Sequence, residues 1–385
     1  MIATYPPLEH STECDVAIIG GGITGACVAH ELALAGHAVV VLDRRDIGAG
    51  STAGSTGLLM YELDTSLREL AARIGEREAV RCYRVVAEGL ERIGHWEEVL
   101  PVACGFRRRE ALYGASTARD AAELKAEYEL RARHGFAVQY WDRARVQASS
   151  TLPFKAAIVS APAAEVDPHA LTHGLLKLAV QRGARVFDRT TVHRYRATRH
   201  GVALHTDRGV QVRARRVVIA SGYEAMTFMS LPGVRLRSTY AFISEPLADF
   251  PGWPDWRLIW ETARPYGYAR ITADRRIVFG GADEPFNRPT VRDGMLPRKV
   301  RLLLRRFRQW FPQIRIEPAY AWAGTFAETK DGLPYIGPHR SFPRAFFALG
   351  YGGNGITFAA VAARLMRDFC AGRPNADAAL FRLER

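Results

Sequence analysis

The chain of 385 residues contains no run of 18 apolar residues, so nothing in it reads as a membrane-spanning helix. Its first fourteen residues lack a basic start and an apolar core, so no secretory signal is visible. The five cysteines, Cys14, Cys27, Cys82, Cys104 and Cys370, form no C-x-x-C pair. No Cys/His cluster has metal-ligand spacing, which gives the expectation of no metal site. Reduced thiols and no export signal lead to the expectation of a cytoplasmic protein. Internal repeats, low-complexity linkers and a nucleophilic Ser/His/Asp or Cys/His arrangement are all missing. Lysine is scarce: of 53 basic residues, five are lysine and 48 arginine. The net charge of +13 is spread along the chain with no nucleic-acid motif, so it reads as solvated faces, and no nucleic-acid partner is expected. One basic stretch, residues 298–312, is an amphipathic helix. It could lie on an anionic membrane surface. The favoured expectation is that Leu302, Leu303, Phe307 and Trp310 face the protein's own core.

What is present is a globular composition, 48% hydrophobic and 24% charged, with enough material for two domains. Residues 15–19 are a short β-branched run that predicts a buried strand. Gly20, Gly22 and Gly25 follow at G-x-G-x-x-G spacing, then a helical segment from Ile23 to Ala35 that includes Thr24, and a second strand at 38–42 ending on Asp43. Gly20 suits the tight turn. Gly22 lets the backbone approach a diphosphate, and Gly25 lets helix pack closely on strand. The diphosphate would sit at the helix N-terminus, where free N–H groups and the helix dipole favour negative charge. Asp43 is placed to accept hydrogen bonds from a ribose. These residues define a dinucleotide site and leave FAD and NAD open.

Farther along, "RRDIGAGSTAGSTGLLMY" offers exposed amides and hydroxyls for a second cofactor contact. Residues 66–100 and 116–134 read as helical. Residues 163–192 read as turn, helix, glycine stop and strand. Residues 202–222 read as a hairpin followed by a buried strand, and residues 235–282 as an antiparallel sheet. A strand at 345–349 and a glycine-rich turn feeding a helix close the chain. The fold class expected is α/β: a Rossmann-type dinucleotide-binding domain carrying an inserted domain with a mixed or antiparallel sheet. The nucleotide domain is drawn over 12–90, 155–234 and 325–385, the inserted α+β domain over 91–154 and 235–324.

Taken together, the glycine motif with Asp43, "GAGSTAGSTGL", "EVDPHALTHGL", "ARRVVIASG", "TKDGLPYIG" and "GYGGNGITFAA" resemble the FAD-dependent oxidoreductases of the D-amino acid oxidase, glycine oxidase and sarcosine oxidase family. The resemblance covers nearly the whole chain. It implies FAD as cofactor, with Gly20, Gly22, Ile23, Thr24, Gly25 and Asp43 at the ADP half and Arg44 near the adenosine. It places Ser51 and Thr52 at phosphate or ribityl, and Ser55, Thr56 and Gly57 beside the isoalloxazine. Val192 would meet the adenine, while Ala220 and Gly222 would line the dinucleotide. Gly353, Asn354, Gly355 and Ile356 would turn backbone amides toward the flavin pyrimidine edge, where reduction places negative charge. It implies oxidation of a small amine or amino acid derivative, by hydride transfer from the C–H next to nitrogen to flavin N5. The resulting imine hydrolyses.

The sequence departs from amino acid oxidising members at two places. Phe326 stands where they carry a carboxylate-clamping arginine, and Gly353 where glycine oxidases place another. Gly324 stands near the position of the cysteine that carries flavin in covalent members, so non-covalent FAD is expected. No lysine for oxygen activation is evident at 275–281, so oxygen, a quinone or a partner protein all remain as electron acceptor. Tyr266, Tyr268 and Arg270 share a strand face, the family placing a tyrosine like Tyr266 over the substrate. Arg264 and Arg270 are candidates to replace the missing clamp, or else to pair with Asp274, Glu261 or Asp283. Glu328 is a candidate for a substrate cation. Two rival readings remain: a quinone-linked dehydrogenase of a 2-hydroxy acid or polyol phosphate, and an electron-transfer or non-catalytic flavoprotein subunit of an amine dehydrogenase complex.

Overall fold

A computed structural model describes residues 4–229 and 233–385. Residues 1–3, part of the N-terminal reading, and residues 230–232, inside the segment drawn over 155–234, lie outside the described residues. The first strand, Thr12–Ile19, is the centre of one sheet. It pairs in parallel with Gln211–Ile219 on one side and Val39–Leu42 on the other. Arg185–Phe187 extends the sheet beyond Val39–Leu42, and Phe342–Leu349 with the antiparallel Tyr335–His339 extends it beyond Gln211–Ile219. Both faces are covered, so the strand is apolar on both. Val16 and Ile18 enter the core under the helices, while Ala17 and Ile19 enter the core on the opposite face.

The helices on the first face are Ile23–Leu34, Glu76–Glu97, Pro168–Gln181 and Gly355–Ala371, which share one apolar cluster. The helix expected over 66–100 is two helices, Leu67–Ile74 and Glu76–Glu97. Gly75, at φ 94°, is the break. The hairpin and buried strand expected over 202–222 share one long strand, Gln211–Ile219. Its first half pairs antiparallel with Val202–Thr206 and its second half parallel with Phe342–Leu349.

The second sheet runs in the order 318–328, 235–244, 277–284, 267–271, 258–261, 107–114, 157–165, 58–60. Leu258–Glu261 and Arg107–Gly114 pair in parallel and the other pairs are antiparallel, so the sheet is mixed. Ala157–Glu165 and Leu58–Met60, inside the segments drawn for the nucleotide domain, belong to this second sheet. The basic helix, Leu296–Trp310, packs on it through Leu303, Phe307 and Trp310. Leu302 departs from the expected stripe and is 39% exposed, because 3.6-residue periodicity turns it one position off the buried line. Among the described residues no helix is long and apolar enough to cross a membrane.

Candidate functional site

The glycine turn leads directly from the central strand into the first helix. Gly20 has φ 111°, and a side chain there would strike the Ala220 backbone. At Gly25, a Cβ would collide with the carbonyl oxygen of Gly20, so helix and strand meet at a distance only glycine permits. The first helix begins after Gly22 with no side-chain cap and no acidic residue in its first turn. Thr52 helps to hold this end, its hydroxyl accepting from the Ile23 amide at 2.9 Å. Asp43 is fixed by its own neighbours: Oδ2 accepts from the Gly21 amide at 2.6 Å and Oδ1 from the Arg45 amide at 2.8 Å. Burial raises its carboxyl above the usual value. Arg44 and Arg45 both pair with Glu224.

A single cavity of about 1030 Å³ runs from this end toward the second sheet. Its walls include Gly20, Gly22, Ile23, Thr24, Asp43, Arg44, Ser51, Thr52, Ser55, Thr56, Gly57, Val192, Ala220 and Gly222. They also include Gly353, Asn354, Gly355 and Ile356, so residues more than three hundred positions apart share one space. Gly25 does not line it, and its place is under the turn. The last long helix, Gly355–Ala371, starts on the cavity, again with no acidic residue in its first turn and no side-chain cap. The Asn354 amide instead donates to the carbonyls of Glu62 at 2.8 Å and Met60 at 3.3 Å, tying the helix start to the inter-sheet loop. Two long helices thus bring N-termini without an acidic residue in the first turn onto one cavity, an arrangement that suits a ligand with two separated anionic or electron-rich parts. Those are the residues present for a dinucleotide with a reducible ring, so the fit to FAD is good. Among the described residues no cysteine lines the cavity.

At the far end the lining is aromatic and acidic. Trp260, Tyr266, Tyr268, Trp322 and Phe326 stand with Asp64, Asp283 and Arg292. The indole of Trp322 donates to the Gly54 carbonyl at 2.9 Å, joining the second sheet to the glycine-serine loop. Asp64 accepts from the Gly353 amide at 3.1 Å. Burial raises the Tyr266 hydroxyl well above its usual value, with Asp64 and Asp283 adding to the shift. Asp283 is the penultimate residue of the strand Ile277–Glu284, and burial pushes its carboxyl up to about 6.

Arg264 and Arg270 do not line the cavity. Arg264 is exposed and donates to the carbonyls of Glu261, Thr262 and Ala263. Arg270 is buried and spans the Thr56 carbonyl and Glu165, which also holds Arg109. Glu165, and none of Asp274, Glu261 or Asp283, is its ionic partner, because Ala157–Glu165 ends beside it in the second sheet. Glu328 does not line the cavity either, being paired with Arg237. Sequence reading missed Asp64, Arg292, Trp260 and the buried Glu62, and took Asp283 only as a possible partner for an arginine. Asp283 had a misleading signal: plain alternation puts it on the core face of Ile277 and Phe279, and the irregularity at Gly281–Ala282 turns it to the cavity instead; Asp64 sits in a loop with no signal.

The family model for FAD dependent oxidoreductases (DAO) matches residues 15–369. Glycine oxidase of Geobacillus kaustophilus is 27% identical over 383 residues, covering 96% of this chain and 97% of that protein. Gamma-glutamylputrescine oxidoreductase of Escherichia coli is 26% identical over 381 residues, covering 96% of this chain and 86% of that protein. Among solved structures, that of the Geobacillus kaustophilus glycine oxidase superposes with a TM-score of 0.81 at 24% identity, over 97% of this chain and 99% of that one. L-proline dehydrogenase from P. horikoshii superposes with a TM-score of 0.81 at 20% identity, over 98% of each chain.

Proposed function

This chain belongs to the DAO family of FAD-dependent oxidoreductases, and we propose that it oxidises a small amine or amino acid derivative at the carbon next to nitrogen. The observation that carries the reading is the single cavity with two open helix N-termini at one part and an aromatic, acidic chamber at the other. Gly20, Gly22, Asp43, Arg44, Ser51, Thr52, Val192, Ala220 and Gly222 would hold the ADP half of a non-covalent FAD. Ser55, Thr56, Gly57 and the turn Gly353–Ile356 would hold the ring. FAD, when bound, supplies the two-electron acceptor.

The chain's own residues do the rest. Tyr266, Tyr268, Trp260, Trp322 and Phe326 exclude water and orient the substrate's apolar part. The amine reacts only when neutral, so its ammonium proton has to leave. Asp64 is the chamber carboxylate bonded to the Gly353 turn, and we assign that proton to it. The substrate loses a hydride from carbon and becomes an iminium, which water converts to a carbonyl compound and the free amine. Names of relatives support an amine donor: glycine oxidase and gamma-glutamylputrescine oxidoreductase both act on C–N compounds.

The test is anaerobic. Holoprotein is mixed with amines, amino acids and hydroxy acids while flavin absorbance is followed, and air is then admitted. Bleaching by amines is expected. Bleaching by hydroxy acids alone would replace this reading with the dehydrogenase alternative. Recovery in air with peroxide assigns oxygen as acceptor; slow recovery assigns a quinone or partner protein.

A further inference from the structure

Glu62, Asp64 and Asp283 all line the cavity; Glu62 is held by the buried Arg131 and by Ser160, which leaves Asp64 and Asp283, and these two are not alike. Asp64 already accepts the Gly353 amide, and Tyr266 Oη crowds the same point: a Cβ built on Gly353 would lie 3.1 Å from Tyr266 Oη and 3.2 Å from Asp64 Oδ2. Gly353 is the position at which the resemblance to glycine oxidases puts an arginine, and here a carboxylate of the protein, Asp64, crowds the space a side chain would take. Phe326 occupies the second such place. Asp283 differs from Asp64 in having an oxygen, Oδ1, that is buried without a hydrogen-bond partner, the Thr239 hydroxyl being the one neutral donor beside the carboxyl. The next residue along the strand, Glu284, points to the other side of the sheet and is bonded to Lys299 at 2.6 Å.

A carboxylate oxygen buried without a donor is costly, and a ligand N–H recovers that cost. No cation of the cavity supplies it. Arg44 and Arg45 are held by Glu224, and Arg292 by Asp293 and Thr325 at 2.8 Å each. Arg237, the cation that acts on Asp283 from the neighbouring strand, is paired with Glu328. The chamber thus offers Asp64 and Asp283, aromatic faces that suit alkylammonium groups, and one arginine, Arg292, already bonded to Asp293 and Thr325.

We propose that the substrate carries two ammonium groups joined by an apolar chain, a diamine or polyamine, and that Asp283 holds the nitrogen that is not oxidised. The reacting nitrogen gives up its charge, so a carboxylate in need of a lasting cation belongs to the other one. The inference rests on the amine reading above and narrows it.

The experiment compares 1,4-diaminobutane, butylamine and 4-aminobutanoate, equal in chain length and differing only at the remote end. Two readouts are taken on holoprotein: the perturbation of the flavin spectrum on binding, and anaerobic bleaching. The diamine is expected to half-saturate at a concentration roughly tenfold or more below butylamine, the size of a lost charged hydrogen bond. 4-Aminobutanoate is expected to bind worst. Asp283→Asn, near-identical in shape, is expected to collapse the diamine-to-butylamine ratio toward one, and Asp283→Glu to restore part of it. Flavin content of each variant shows that it is folded. A ratio unchanged in Asp283→Asn, or 4-aminobutanoate matching the diamine, overturns the inference and leaves the amine reading standing. Holoprotein that no amine bleaches, tested against the wider panel, overturns both.

Discussion

Asp283 is an acid that the fold prefers protonated. Burial pushes its carboxyl up to about 6 from 3.8, so its contribution to stability is fully present below the unfolded value and is lost as pH rises through 6. A rise of that size corresponds to roughly 2–3 kcal/mol as a ceiling. Asp283→Asn cannot ionise. In substrate-free protein, its Tm relative to wild type is expected to rise between about pH 4.5 and about pH 7.5; parallel behaviour at both ends would remove the strained carboxylate from the account. Gly25 makes a second point at this scale. Gly25→Ala drives a methyl into the Gly20 carbonyl, which is expected to cost at least ~3 kcal/mol and most of the bound flavin, read by denaturant titration and absorbance. Residues like Gly25 and Asp43 were legible because their reasons lie within thirty positions of chain. Arg270 was not: its partner Glu165 stands 105 residues away, so the sequence displayed an unpaired cation where the fold holds a satisfied one. Asp64 and Asp283 were hidden for the same reason, since only long-range pairing carries both to one chamber.

Elements were easier to read than contacts. Helix and second strand appear within a residue of where hydrophobic period and composition set them, because buried parallel strands and their crossover helix impose opposite periodicities on adjacent segments; the first strand ends where expected but begins three residues earlier, at Thr12. The helix over 66–100 misled only at Gly75, whose positive φ is invisible in a pattern of apolar spacing. The basic helix Leu296–Trp310 allows a clean separation of its two faces. Leu303 is fully buried, whereas Arg301 and Arg305 are exposed. Leu303→Ala is expected to destabilise by roughly 2–5 kcal/mol. Reversal of both arginines to glutamate is expected to change stability by about 0.5 kcal/mol or less. Urea unfolding measures both. If the double reversal instead proved as damaging as Leu303→Ala, the charged face would be a docked face and the packing argument would fail.

At the scale of the molecule, one cavity joins the two sheets, and its walls come from both. Trp322 reaches from the second sheet to Gly54, and Asn354 from the last helix to the loop after Leu58–Met60. A ligand filling that space touches every part at once, so it stabilises the whole fold by mass action. Holoprotein is expected to unfold in one transition. Apoprotein given FAD at about a hundredfold excess over its Kd should gain roughly 2.7 kcal/mol and a higher Tm. The same wall composition governs how the cofactor is held. All five cysteines lie off the cavity wall, and Gly324 rather than a thiol stands on it. Heat or acid precipitation should therefore leave the pellet colourless and all of the flavin in the supernatant. Yellow colour that stays with the denatured chain would mean a covalent bond to some other cavity residue, with His193 at the Val192 end the first to examine by mass spectrometry of flavin-bearing peptides. Complete release would leave helix termini, Asp43 and the hydroxyl loop as the whole of the grip, a grip built from partial charges and backbone amides.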